Sequence, residues 1–243
     1  MYRTPRALVS MCFGVAVLAT ACVEDEGMPM PDEGMLDGGT EDGDDQPAEA
    51  GDGDGDGDAD TGQAVCDVPS PYMGGWDIGC CQDELEPSPW YAGGVGQGSI
   101  LPDWTFTDQF GEAVRVWDFC HDAIYFEYSA VWCGACVESA PYIAGLYNTY
   151  KDRGLMTLTY MAENVDGGPA SQADATAWAE NFGHEGLVVY SSDDNVWFPF
   201  AEDAGDGSYT IALPGMMLVG TGAKIAKLGE PSIQEIELVI PGE

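Results

Sequence analysis

Positive charge is what this chain most lacks. Its 243 residues hold seven Lys and Arg and two His against 43 Asp and Glu, for a formal net charge of −36. A surface of that sign repels phosphate backbones and anionic lipid headgroups, which argues against nucleic acid as a partner and leaves neutral or cationic proteins open. Long apolar runs are also missing. The stretch Ala7 to Ala19 is too short to span a bilayer as a mature helix. A further lack is local: Val23 to Gln63 has almost no large apolar residue. Such a segment cannot bury enough surface to offset the entropy of ordering it, which excludes it from a packed core.

What the N-terminus does contain fits a leader. Arg3 and Arg6 precede the apolar run, and the small residues Thr20 and Ala21 precede Cys22. Residues 1–21 read as a signal peptide, so the mature protein is expected outside the cytoplasm. Ala19-Thr20-Ala21-Cys22 resembles a bacterial lipobox, with Leu18 one place earlier than the usual Leu. That resemblance implies cleavage before Cys22, lipidation of Cys22 and a membrane anchor; ordinary secretion is the alternative. Val23 stands where Asp commonly marks inner-membrane retention, which points to the outer membrane. Residues 22–63 hold 16 acids and no Lys or Arg, and read as an acidic Gly/Asp-rich tether. The repeat from Asp52 to Asp58 overlaps the start of a calcium loop, but its twelfth position is Gln63 rather than Glu, so a tether is the favoured reading.

From Thr61 onward there are 27 acids and five bases, a net charge of −22, so the folded part is acidic as well. Residues 64–99 form an irregular extension rich in Cys, Gly and Pro. Residues 100–243 read as one domain with alternating strands and helices. Thr105 to Trp117 predicts a hairpin around Asp108-Gln109-Phe110-Gly111. Strands are expected over Ala123–Tyr128, Leu155–Ala162 and Leu187–Tyr190, and a helix over Cys136–Tyr150 with Pro141 inside it. Another helix spans Ser171–Phe182, with Ser171 as cap and Asp174 three residues on. Met216–Val219 and Ile225–Leu228 make a final hairpin. A last helix follows Pro231, capped by Ser232 with Glu235 completing the box. The alternation gives an α/β class with a central mixed sheet flanked by helices.

Eight cysteines occur. Cys12 lies in the leader and Cys22 at the proposed anchor. Cys66, Cys80, Cys81, Cys120, Cys133 and Cys136 remain, an even number in a chain that reads as exported, where disulfides persist. Trp132-Cys133-Gly134-Ala135-Cys136 carries the chemistry. Two cysteines separated by two residues at a helix start can close a small disulfide ring. The leading sulfur then lies where backbone N–H groups and the helix dipole favour the thiolate, the species that attacks a disulfide. Half a zinc site and a purely structural bridge are the alternatives. No second Cys pair follows at zinc spacing, and Val137 stands where haem attachment needs His.

Residues Ile124 to Pro141, IYFEYSAVWCGACVESAP, resemble the active-site strand, turn and helix of the thioredoxin superfamily. The branch they resemble most is that of extracytoplasmic thiol–disulfide oxidoreductases related to TlpA and ResA, over about residues 100 to 240. That branch adds an N-terminal β-hairpin, as Leu101 to Trp117 suggests here, and an insertion before the final β-hairpin, for which Asp166 to Gly207 is the candidate. The resemblance implies Cys133 as nucleophile, exposed and easily ionised, and Cys136 as resolving cysteine. Pro141 matches the kink proline of the active-site helix. Glu127, six residues before Cys133, resembles a buried proton-relay acid; an edge-strand residue facing water is the alternative. Pro214 resembles the cis-proline that presents the backbone of Leu213 to an extended substrate, or else is an ordinary loop proline. Trp132 shields the disulfide or simply packs. Many relatives carry Glu three residues after the second Cys, where this chain has Ser139, so no role passes to Glu138.

Cys66, Cys80, Cys81 and Cys120 match no superfamily motif. They allow three pairings, and adjacent Cys80 and Cys81 seldom bond to each other, so two structural bridges holding the extension are expected. His121 offers a metal alternative, and His184 reads as a solvated loop residue. The implied function is reduction, or less readily oxidation, of protein disulfides, with an electron-donor or acceptor protein as partner and no bound cofactor. A peroxide reductase of the same fold is one rival, although those usually have Thr-x-x-Cys at this place. A copper-binding module is the other, although those usually space the cysteines by three.

Overall fold

The computed structural model describes residues 69–192 and 195–241. The leader, Cys22, the acidic tether with its Asp-Gly repeat, and Cys66 lie outside the described residues. In chain order the elements are β1 (Thr105–Asp108), β2 (Ala113–Arg115), β3 (Ala123–Ala130), α1 (Gly134–Tyr150), β4 (Leu155–Glu163), α2 (Gln172–Phe182), β5 (Leu187–Tyr190), β6 (Ala201–Asp203), β7 (Tyr209–Ile211), β8 (Gly215–Gly220), β9 (Lys224–Leu228) and α3 (Ile233–Val239). Seven strands form one mixed sheet in the order β2-β1-β5-β4-β3-β8-β9. Strands β3, β4 and β5 run parallel, with α1 and α2 as the crossovers, and antiparallel strands close both sides.

Local chemistry explains most of these boundaries. The β1–β2 turn closes because Asp108 Oδ1 accepts the backbone N–H groups of Phe110 and Glu112, and Gly111 supplies a φ of 86°. Ser171 with Asp174 and Ser232 with Glu235 both form complete capping boxes, which fix the starts of α2 and α3. Strand β3 is paired on both sides and covered on both faces, so it reads as a nearly continuous apolar run. It extends two residues beyond the expected end, because β4 runs beside it as far as Glu163 across a bulge at Ser129/Ala130.

The two faces of the sheet are covered differently. Odd-numbered residues of β3, such as Ala123 and Tyr125, pack with Ile143 and Leu146 of α1 and Ile236 of α3. Val188 of β5 packs with Ala175 and Trp178 of α2 on the same side. The opposite face, with Ile124, Phe126, Leu158, Val189 and Met217, meets no α-helix residue except Tyr147 among the buried side chains of its cluster. It is roofed by Trp76, Trp104, Trp117 and Phe119, with Trp90 packed against them. The indole N–H groups of Trp76, Trp90, Trp104 and Trp117 donate to Glu185 O, Asn195 O, Asn195 Oδ1 and Leu101 O at 2.8–3.0 Å, so three buried rings and the half-buried Trp90 pack with their polar atoms satisfied. A disulfide from Cys81 to Cys120, with Cα atoms 6.0 Å apart, ties this irregular layer to the segment entering β3.

Between the β3–α1–β4 unit and the final hairpin, the segment 166–207 does two things. Its first half supplies α2 and β5, which extend the main sheet. Its second half begins a separate ribbon, β6 paired with β7. Among the described residues, no helix is long and apolar enough to cross a membrane.

Candidate active site

Strand β3 carries the chain through the centre of the sheet to Ala130, and Val131 and Trp132 then lead into α1. Cys133 is the N-cap of α1, with extended backbone at φ −77° and ψ 107°. Its sulfur accepts the Cys136 backbone N–H at 3.1 Å, the place an N-cap oxygen normally occupies. Cys133 and Cys136 form a disulfide with Cα atoms 5.2 Å apart. The helix start therefore presents an N–H donor and the positive end of its dipole to the leading sulfur, an arrangement that favours a thiolate once the bond is reduced. Pro141 lies inside α1 and contributes no N–H to its ladder.

The expected exposure of Cys133 is not found in the disulfide form. Cys133 keeps only 5% of its surface and Cys136 none. The reason is packing: Val131, Trp132, Ala170, Tyr190 and Leu213 all close on the cluster that holds the two cysteines. The ranking of the two sulfurs is still the expected one, with the leading residue at the rim and the second sealed below it.

The Leu213–Pro214 peptide is cis. Gly215, the next residue, opens β8 and pairs with Tyr128, near the end of β3. That register brings the cis bond to the end of the sheet from which the Cys133 turn emerges.

Glu127 sits in the middle of β3, between Thr159 of β4 and Met216 of β8, and is fully buried, so the edge-strand alternative does not hold. Its side chain points to the helical face, where Ser139 Oγ of α1 donates to Glu127 Oε1 at 2.7 Å. Burial pushes its carboxyl up to about 7, and the Ser139 and neighbouring Thr159 hydroxyls offset part of that rise. A buried carboxyl that titrates near neutrality, on the same side of the sheet as the helix bearing Cys136, can take up or release a proton at physiological pH.

No family model matches the chain. The ResA thiol–disulfide oxidoreductase of Geobacillus kaustophilus is 32% identical over 102 residues, covering 42% of this chain and 55% of that protein. Over that stretch the chain is similar to ResA thiol–disulfide oxidoreductases. The chain thus spans about half the length of these curated relatives. The ResA protein of Bacillus subtilis is 24% identical over 155 residues, 61% of this chain and 79% of that protein. Among solved structures, the thioredoxin domain of a thiol–disulfide oxidoreductase from Bacteroides vulgatus is 19% identical, with 60% of this chain and 96% of that chain covered and a TM-score of 0.47. A thiol:disulfide interchange protein from Bacteroides sp. is 18% identical, with 61% and 92% covered and a TM-score of 0.48.

The other expected residues fall away from the Cys133 rim. Cys81 pairs with Cys120, and Cys80 is itself disulfide-bonded, so no bond joins the adjacent pair. His121 stands 3.6 Å from both Asp77 and Asp122 at the extension. His184 corrects its sequence reading: it is 6% exposed rather than solvated, because α2 ends at Gly183 and turns the next residue beneath α1. Burial lowers its imidazole to about 4, with the Ala140 carbonyl acting weakly in the opposite direction. Two polar residues near the cysteines carried no sequence signal of their own. Ser139 stands out in the sequence only as a departure from relatives, and Glu163, which accepts the Trp132 indole N–H, has no local pattern to mark it.

Proposed function

We propose that this protein exchanges thiols and disulfides on protein substrates outside the cytoplasm, through Cys133 and Cys136. The observation that carries the reading is the Cys133 sulfur at the head of α1, hydrogen-bonded to the Cys136 N–H and disulfide-linked to Cys136. In the reduced form, the Cys133 thiolate attacks one sulfur of a substrate disulfide. The first substrate sulfur leaves as a thiolate and takes a proton from solvent. Cys136, its proton passed to Glu127, then attacks the Cys133 sulfur. The Cys133–Cys136 disulfide forms, the second substrate thiolate departs, and two electrons have moved to the substrate. An electron-donor protein carrying a dithiol reverses these steps on the enzyme and restores the reduced pair. No bound cofactor is required.

The surrounding residues have roles in that cycle. The cis-Pro214 turn presents the backbone of Leu213 to an extended substrate segment. Trp132 covers the disulfide and limits approach to the Cys133 edge. The leader and Cys22 supply export and a lipid anchor, with the outer membrane as the destination. Reduction of insulin by the purified protein, followed with its Cys133→Ser and Cys136→Ser variants, tests the reading. Wild type should reduce insulin, Cys136→Ser should trap a mixed disulfide, and Cys133→Ser should do neither. Insulin reduction by Cys133→Ser at the wild-type rate would overturn the assignment. Equilibration of the couple in glutathione buffers then fixes the direction of electron flow.

A further inference from the structure

The turn into the active site is gripped twice by one residue. Glu163, the last residue of β4, accepts the Trp132 indole N–H on Oε2 at 2.7 Å and the Val131 backbone N–H on its carbonyl at 2.9 Å. Consecutive residues just before Cys133 are thus held by the side chain and the main chain of the same position. Glu163 is itself well fixed. It pairs with Ala130 beyond the β3 bulge and forms an isolated bridge with Pro169. The turn that follows is closed by the Asn164 N–H to Gly168 O bond at 2.7 Å and by Asn164 Oδ1, which accepts from Asp166 and Gly168.

We propose that Glu163 is a positioning residue: its carboxylate fixes the rotation of the Trp132 indole over the Cys133 rim, and so sets how a substrate disulfide enters. The inference rests on the exchange activity proposed above. A half-buried indole needs no charged acceptor merely to pack, since water can satisfy its N–H. A charge-assisted bond from a strand end adds orientation that packing alone leaves loose. Cys133 shows only a rim to solvent and Trp132 packs on the cluster that holds it, so the rotation of that ring bears on how open the rim is. Without the acceptor the ring is ordered only when substrate arrives, so the loss falls on encounter rather than on the sulfur chemistry.

The experiment measures insulin reduction by the full mature chain in five forms: wild type, Glu163→Ala, Glu163→Gln, Trp132→Phe and the Glu163→Ala/Trp132→Phe double variant. Ordering one freed side chain on binding predicts a KM about fivefold higher for Glu163→Ala, with kcat within about twofold. Glu163→Gln retains an acceptor oxygen and should return KM to near wild type. Trp132→Phe should reproduce the alanine effect, and combining the two should add nothing further. An unchanged KM in Glu163→Ala, a glutamine variant as impaired as alanine, or additive effects in the double variant would each overturn the proposal. A substrate-free readout separates this failure from failure of the exchange reading. The fluorescence difference between oxidised and reduced protein should fall most in Trp132→Phe, with Trp178 of the same cluster left to report the remainder, and should also shrink in Glu163→Ala. If wild type reduces no disulfide but these changes occur, the exchange reading falls, the substrate-entry role falls with it, and only the hold of Glu163 on the Trp132 ring stands. If the difference is untouched by Glu163→Ala, the positioning role falls.

Discussion

The protein carries two kinds of disulfide, and their settings differ in every respect that matters. Cys133 and Cys136 are three residues apart, at the head of a helix, with a backbone N–H aimed at the leading sulfur. Cys81 and Cys120 are 39 residues apart; they join an irregular layer to the sheet, and Cys120 is sealed from solvent. By loop entropy, closing the short loop is worth about 2 kcal/mol and closing the longer one about 4 kcal/mol. The short bridge is therefore the less costly to open and electrostatically prepared for it. The long one mainly holds structure. Sequence spacing and environment, rather than the bond itself, separate a reagent from a fastener.

That contrast is sharpest in paired variants. Cys133→Ser should abolish insulin reduction, a loss of at least about a thousandfold, because no other thiolate stands at the helix head. Its cost in stability, measured in urea, should be about 2 kcal/mol, half that of the longer bridge. Replacing both Cys81 and Cys120 with Ser should weigh on stability instead: it falls by about 4 kcal/mol in urea titrations, while the turnover of molecules that remain folded is retained. Loss of turnover in a fully folded double variant would erase the distinction.

The surroundings of the redox pair should also show in the pH dependence of stability. Glu127 is held at about 7 in the folded protein against 4.5 for a free carboxyl, so the native state binds its proton more tightly. Its effect on stability is most favourable below pH 4.5 and is lost as pH rises through 7. Glu127→Gln should therefore stabilise the protein by about 3 kcal/mol at pH 8, measured by urea unfolding, while slowing the resolving step. His184 acts with the opposite sign. Its folded value near 4 lies below the ordinary 6.5, so stability is fully present above pH 6.5 and lost as pH falls toward 4. The two slopes oppose each other between pH 4.5 and 6.5. In Glu127→Gln the acid-side decline belonging to His184 should stand out, by at most about 3 kcal/mol. The smallest effect is expected from Ser139→Ala. Removing its bond to Glu127 Oε1 should raise the carboxyl further and move the alkaline loss of stability to higher pH by a fraction of a unit.

What could be read from the sequence was local. The Cys-Gly-Ala-Cys motif, both capping boxes and the proline before β8 depend on residues within a few places of one another. Glu127 was legible because an acid in an apolar strand stands out. The rest depends on strand register. Nothing near Trp132 in sequence indicates that residue 163 ends beside it, since that contact follows from how far β4 runs along β3 past a bulge. The same holds for Ser139 meeting Glu127 across the helix–sheet layer. His184 looked solvated because a residue after a helix-ending Gly usually is; only the packing of α2 against α1 buries it. The aromatic roof could not be read either, because tryptophans scattered through a Gly- and Pro-rich segment have no periodicity.

That roof has a consequence for how the molecule matures. Until Cys81 has found Cys120, a broad sticky surface of indole rings is poorly secured over the helix-free side of the sheet, which is the sort of surface that draws proteases and promotes clumping. A shortened version starting at residue 100 would retain every residue of the exchange motif and still lack the Trp76 and Trp90 cover. Such a fragment should express poorly and aggregate, although everything that makes it look like an enzyme is present.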